Sequence, residues 1–148
     1  MQAIDKTGRT AYPAQSVTGG ANAAASAEAG TITVPVGERW LLHGVSVECV
    51  QGSTQTPWPR LIITDGSYVG AFHSGTAAQA ASTTCRHNWS PAGPLVGPTG
   101  ATTAVASQGT LPKGLILEAG ATIATSTVGI GANTDYGIMV ARYTKLPV

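Results

Sequence analysis

The 148-residue sequence predicts a single all-β domain, a sandwich or barrel of short strands. Three observations lead to this prediction. Short β-rich runs recur along most of the chain, and turn residues, among them 19 Gly and 9 Pro, separate these runs. No segment carries a helical apolar period of useful length. The length suits one domain with a hydrophobic core and is too short for two.

The predicted strands begin after residue 30. In chain order they are 31–34, 39–50, 60–64, 67–72, 83–89, 101–106, 114–118, 121–128 and 136–143. Gly44 predicts a bulge or bend inside the longest of them. Asp65-Gly66, between two β-rich runs, is the strongest hairpin signal in the chain. By composition, residues 51–59 and 90–100 are loops.

Alternation within two of these strands predicts which side chains share a face. Cys49 shares a face with Val45 and Val47. We therefore predict that Cys49 is buried and packs as a small hydrophobic side chain. A disulfide between Cys49 and Cys85 is the alternative, and a reducing compartment disfavours it. The face predicted for the last strand carries Tyr136, Ile138, Val140 and Arg142.

Residues 1–30 differ from residues 31–148 in composition. This first segment is rich in Gly, Ala, Ser and Asn and shows no sustained apolar period, so it cannot bury much surface alone. We interpret it as an extended N-terminal arm that becomes ordered where it lies on another surface, followed by a β-sandwich domain. A flexible tail is the alternative.

Charge is scarce. Only 10% of residues are charged, against about 25% in typical soluble domains. An uncharged polar surface is easily desolvated against a partner, which favours docking on other proteins over an ordinary free-standing β domain. A net charge of +1 without a Lys/Arg cluster argues against nucleic-acid binding. No apolar stretch approaches the roughly 18 residues of a membrane helix, and the N-terminus lacks a signal-peptide pattern, which predicts synthesis in a cytoplasm.

No motif for catalysis, metal binding or cofactor binding emerges, so we expect a non-enzymatic protein without a metal or cofactor. Cys85 and His87 form a Cys-x-His pair, which is not a usual metal spacing. The segment 73–75 lacks the surrounding residues of a nucleophile elbow. Residues 129–131 lack the third glycine of a dinucleotide loop.

Two segments carry a resemblance to a known family. They are 34–42, V-P-V-G-E-R-W-L-L, and 111–123, L-P-K-G-L-I-L-E-A-G-A-T-I. Together they resemble the V-P-x-G-x-x-W-x-L and L-x-L-x-A-G-x-x-I pattern of small jelly-roll modules in tailed-bacteriophage virions. The resemblance covers roughly residues 31–146 and implies a jelly-roll-like antiparallel β-sandwich, often assembled as a homotrimer.

Within that family the chain is most similar to capsid decoration (cement) proteins. The resemblance implies a virion protein on the capsid surface that binds the major capsid protein and reinforces contacts between capsid subunits. Partner-binding candidates are Arg9, Tyr12, Trp58 and Arg60, because Arg and aromatic side chains dominate interface energetics. One alternative is a receptor-binding or fibre-tip module that uses Trp58, Tyr68 and Trp89 on loops, although the favoured role of Trp89 is to fill the core or an interface. Another is a carbohydrate-binding accessory domain.

Overall fold

The computed structural model describes residues 3–4, 10–11, 14–19, 28–52, 56–66, 68–91, 96–99 and 105–148. Every regular element in these ranges is a β-strand. The strands are β1 (Ala3–Ile4), β2 (Thr10–Ala11), β3 (Ala14–Thr18), β4 (Ile32–Thr33), β5 (Trp40–Gln51), β6 (Trp58–Thr64), β7 (Tyr68–His73), β8 (Thr84–Ser90), β9 (Val96–Thr99), β10 (Val105–Thr110), β11 (Ile116–Leu117), β12 (Thr122–Val128), β13 (Thr134–Tyr136) and β14 (Val140–Lys145). Among the described residues no helix is long and apolar enough to span a bilayer.

Two sheets pack against each other as a sandwich, which confirms the predicted all-β class. The larger sheet has the order β3-β14-β5-β8-β10-β9, and β11 and β13 also pair with β5. The smaller sheet has the order β4-β12-β6-β7, and β1 and β2 form a separate pair. The expectation of a purely antiparallel sandwich is wrong for one pair, since β8 and β10 are parallel. After β8 the chain forms β9 at the edge of the sheet and then returns as β10 between the two. Because β10 runs antiparallel to β9, it lies parallel to β8.

The core lies between the two sheets and is built from alternate positions of their strands. Leu61 and Ile63 of β6 and Ile123 of β12 are fully buried from one side. From the other side, Trp40 of β5 stacks on Tyr143 of β14 with ring centroids 3.8 Å apart. Val45, Val47 and Cys49 are all buried, which confirms the predicted face of β5.

The predicted bulge at Gly44 is confirmed by the register of β5 with β14. Arg142 pairs with Gly44 and Tyr143 with Leu42, so His43 is the extra residue on β5. The extra residue shifts the buried face, which includes Leu42 before the bulge and Val45 after it. One long strand can therefore keep an apolar face toward the core along its length.

The Asp65-Gly66 hairpin is also confirmed, since β6 and β7 pair antiparallel across it. Gly66 has a φ of +97°, a left-handed conformation that glycine adopts without strain. A register shift follows directly after the turn, where Ile63 pairs with Gly70 but Thr64 with Tyr68. Positions further along the hairpin therefore cannot be paired by counting from the turn.

The predicted last strand is divided into β13 and β14, and its predicted shared face is wrong. Tyr136 is buried, but Ile138 is 53% exposed and Met139 is buried. The interruption at 137–139 changes the phase of alternation, because β13 and β14 each pair separately with β5. Two further differences lie in the region predicted as 90–100 (loop) and 101–106 (strand). The structure has β9 within the first, and β10 spans Val105–Thr110.

Parts of the 1–30 segment belong to the sandwich. β3 pairs along β14 as an edge strand of the larger sheet. Ala29 is buried in the core, and its amide donates a hydrogen bond of 2.9 Å to Thr125 Oγ1 of β12. Glu28 accepts hydrogen bonds from the amide and hydroxyl of Thr127. That the rest of the segment lies along a neighbouring subunit stays a prediction.

Candidate partner-binding face

The outward surface of the smaller sheet brings two of the predicted partner-binding residues together. In β6, Pro59, Leu61 and Ile63 point into the sandwich, so the alternate residues point outward. The same alternation in β12 and β7 completes what we call the smaller-sheet face. Its residues are Trp58, Arg60, Ile62, Thr64, Ala71, His73, Thr122, Ala124, Ser126 and Val128.

Trp58 and His73 form an aromatic pair at one end of this face. Their ring centroids are 4.4 Å apart and their planes are inclined by 42°. The pKa of His73 is lowered by partial burial and then by the positive charge of Arg60, which favours the neutral imidazole. Trp58 is half-buried, and its Nε1 is buried without a hydrogen-bond partner among the described residues. The two rings together form the largest aromatic surface of the smaller-sheet face.

Arg60 is the one formally charged residue of the smaller-sheet face. Its Nε donates to the carbonyl oxygen of Ser126 at 3.3 Å, and its Nη2 donates to Ser126 Oγ at 3.0 Å. These bonds follow from register, because Arg60 and Ser126 pair directly across β6 and β12. Within the described ranges Arg60 has no carboxylate partner. Its side chain is therefore held in place by Ser126 and keeps a charge that no described carboxylate neutralises.

Apolar surface surrounds the Trp58–His73 ring pair and Arg60. Val128 pairs with Trp58 across the sheet and is 49% exposed. Beside Trp58 and His73 lies an open hollow of about 490 Å³, lined also by Ala71 and Phe72. The whole face thus combines aromatic, aliphatic and hydroxyl groups with a single cation, a composition that is easily desolvated.

Of the predicted site residues, some lie on the smaller-sheet face and others do not. Trp58 and Arg60 lie two positions apart on one strand, and Trp58 begins β6 rather than lying on a loop. Arg9 and Tyr12 lie outside the described residues. Trp89 is 1% exposed within β8, so the exposed loop contact of the receptor-binding alternative is wrong and the favoured filling role agrees with its burial. Tyr68, which the same alternative placed on a loop, is the first residue of β7 and lies within the predicted strand 67–72.

Sequence reasoning missed His73, Ile62 and Val128 as members of the face. Alternation from Arg60 could have placed Ile62 there. Finding Val128 required the pairing of β12 with β6, which is a long-range contact. Finding His73 required the shifted register of the hairpin.

The imidazole of His87, weighed above as part of a Cys-x-His metal pair, is buried in the larger sheet. The amide nitrogen of Gln79 donates to the carbonyl oxygens of Cys49 at 3.0 Å and Thr83 at 2.7 Å. The remaining oxygen of Gln79 therefore accepts from His87 Nε2, at 3.0 Å, which places the ring proton on Nε2. Burial lowers the pKa of His87 to about 4, and its Nδ1 has no partner among the described residues.

The two cysteines face each other across β5 and β8 and are free thiols. Two residues further along, the amide of Gln51 donates to the carbonyl of Thr83, so Cys49 and Cys85 occupy a hydrogen-bonded pair, the wider kind of cross-strand site. Burial raises the pKa of each thiol to about 12. Among the described residues no three His, Cys, Asp or Glu side chains are grouped to hold a metal ion.

Comparison with known proteins adds no family to this geometry: no family model, curated protein or solved structure matches the chain.

Proposed function

We propose that this chain is a structural virion protein that binds the outside of a phage capsid and reinforces contacts between capsid subunits. The observation that carries the proposal is the smaller-sheet face, which presents apolar and hydroxyl groups around Trp58 and Arg60. Arg and Trp are the residues on which interface energy usually concentrates. We further propose that the chain is not an enzyme and acts through contact alone.

The arrangement of the two family-like segments supports this proposal. Segments 34–42 and 111–123 lie side by side: the amide of Val34 donates to the carbonyl of Ala121, and the amide of Gly120 donates to the carbonyl of Val34, each at 2.9 Å. Ile116–Leu117 (β11) also pairs with the start of β5. The resemblance therefore rests on one contiguous structural unit rather than on two scattered turns.

The energetics suit a protein present in many copies. Each copy needs only a standard-sized interface, because many weak contacts act in parallel on one particle. With one cation and no carboxylate on the smaller-sheet face, little charge is desolvated on docking. Homotrimerisation and an arm on a neighbouring subunit, with Arg9 and Tyr12 as its anchors, belong to the same proposal.

The test adds gold-labelled protein to phage heads that lack their native copies and images the particles. The diagnostic variant is Val128→Glu, which places a charge beside Trp58 on the smaller-sheet face. The matched control is Val50→Glu, which changes a 40% exposed valine on the outer surface of the larger sheet. We expect regular labelling of heads, kept by the control and lost in the Val128 variant.

Three results would change the conclusion. Unlabelled heads overturn the decoration role. Gold confined to tails favours the receptor-binding or fibre-tip alternative. Equal labelling by the two valine variants shows that the smaller-sheet face is not the docking surface. Deletion of residues 1–13, which contain Arg9 and Tyr12 and end before β3, tests the arm, and native mass spectrometry tests the trimer.

A further inference from the structure

A polar groove opens on the outer surface of the larger sheet, on the side of the sandwich opposite the smaller-sheet face. It lies where the bulge of β5 meets β8, β10 and β14, and has a volume of about 240 Å³. We call it the bulge groove; among its lining residues are Gly44, Ser46, Asn88, Gln108, Val140 and Arg142. This volume is just below the range of drug-sized pockets, which suits a ligand of about one ring.

The groove exists because of Gly44. Gly44 pairs with Arg142 of β14, and no side chain stands beside that arginine at this position. A methyl group there would come within 2.9 Å of the Trp89 carbonyl oxygen, so the backbone approach itself requires glycine. The bulge thus creates a recess in a surface that alternating side chains would otherwise fill.

Arg142 gives the groove one positive charge that the described residues leave unneutralised. Its side chain is exposed and makes no ion pair or side-chain hydrogen bond with them. None of the described residues that line the groove carries a carboxylate. Glu48, on the same sheet surface, is paired instead with Arg86 at 3.2 Å. A guanidinium in this state matches a single carboxylate through two parallel hydrogen bonds.

The opposite wall presents acceptors rather than more cations. Asn88 Nδ2 donates to the carbonyl of Arg86 at 3.4 Å, and Gln108 Nε2 donates to Ser90 Oγ at 2.9 Å. Gln108 Nε2 also donates to the Gly109 carbonyl at 3.3 Å, so both of its hydrogens are engaged, whereas Asn88 Nδ2 keeps one. The two amide oxygens accept no hydrogen bond from the described residues, and they need a donor such as a hydroxyl. Val140 adds an apolar contact for ring carbons.

We infer that the bulge groove binds an acidic sugar residue, whose carboxylate pairs with Arg142 and whose hydroxyls donate to Asn88 and Gln108. A simple carboxylate offers nothing to the two amide oxygens, and a neutral sugar offers nothing to the guanidinium. This inference is independent of the capsid proposal, since it concerns the other face of the sandwich.

The experiment is a titration of ¹⁵N-labelled full-length protein with D-glucuronate, D-galacturonate and N-acetylneuraminate, followed by amide chemical shifts. D-glucose and acetate are the control ligands: glucose has the hydroxyl groups without a carboxylate, and acetate has the carboxylate without hydroxyl groups. We expect saturable shifts at Ser46, Asn88 and Gln108 with at least one acidic sugar, and at least about tenfold weaker binding of glucose and of acetate.

Arg142→Gln is expected to weaken the acidic sugar by at least about tenfold, because one charge-assisted pair is lost. Arg86→Gln is the matched control: it removes an exposed arginine from the same sheet surface outside the groove, and should leave the affinity unchanged. Three results would overturn the inference: no saturable shift with any acidic sugar, acetate as strong as the sugars, or equal effects of the two arginine variants. Asn88→Ala checks the opposite wall and should weaken the sugar but not acetate.

Discussion

Acidification should destabilise this protein through His87, well above the pH at which carboxylates protonate. Its imidazole is 1% exposed and bonded as a donor to Gln79, and burial lowers its pKa to about 4. In the unfolded chain the ordinary pKa is about 6.5. Between these two pKa values His87 binds a proton in the unfolded state but not in the folded state. The free energy of unfolding therefore falls as pH falls from 6.5 toward 4.

The magnitude follows from the difference between the two pKa values. Over the whole window the loss amounts to about 3 kcal/mol, and about 2 kcal/mol of it is reached by pH 5. A loss of this size is a large share of the stability of a typical domain. The contribution of the neutral His87 imidazole to the free energy of unfolding is therefore complete above about pH 6.5 and lost below about pH 4.

The assay is urea unfolding at pH 7 and pH 5 for the wild type, His87→Gln and His43→Gln. His87→Gln lowers the free energy of unfolding at pH 7 through imperfect packing. Between pH 7 and pH 5, however, its free energy of unfolding should fall much less than that of the wild type. His43→Gln removes an exposed imidazole of the same sheet, hydrogen-bonded at 2.7 Å to Thr144, and should retain the drop. His73, whose pKa is also lowered, contributes in the same direction in all three proteins. An undiminished pH dependence in His87→Gln would refute the reasoning.

Three further outcomes follow from packing. Leu61→Ala empties a fully buried site between the sheets and should lower the free energy of unfolding by about 2–5 kcal/mol, read from urea midpoints; a loss under about 1 kcal/mol would contradict the core assignment. Gly44→Ala forces its methyl group to within 2.9 Å of a backbone oxygen and should cost about 1–3 kcal/mol in the same assay, whereas a neutral effect would show that the bulge relaxes freely. Cys49 and Cys85 should react with a thiol reagent slowly in native protein and give two thiols per chain in denaturant, and none in denaturant would reveal a bridge.

Features governed by neighbouring residues were predictable from the sequence. The Asp65-Gly66 hairpin depends on turn chemistry that acts over a few positions. The bulge at Gly44 and the buried face of Cys49 depend on alternation within one strand. All three are present in the structure.

Features governed by pairing between distant strands were not predictable. The last predicted strand changes phase at 137–139 because each half pairs separately with β5, more than eighty residues earlier. The sequence left Trp89, beside Ser90-Pro91, between a filling role and an exposed loop contact. Its indole is buried, and its Nε1 donates to the carbonyl of Phe72 at 3.0 Å. Composition near a residue says little about the side of a sheet on which it falls.

The candidate face shows the same division. Trp58 and Arg60 could be chosen by residue type alone. His73 reaches the position opposite Arg60 only through the register shift after the turn. Continuing the Thr64–Tyr68 register without the shift would have placed Phe72 there instead.

The position of β3 has a consequence for how the molecule is made. Among the described strands β3 pairs only with β14, which lies more than 120 residues later in the chain. During synthesis β3 therefore stays without its strand partner until β14 has also been made. The edge of the larger sheet closes late in folding, although one of its two strands is made long before the other.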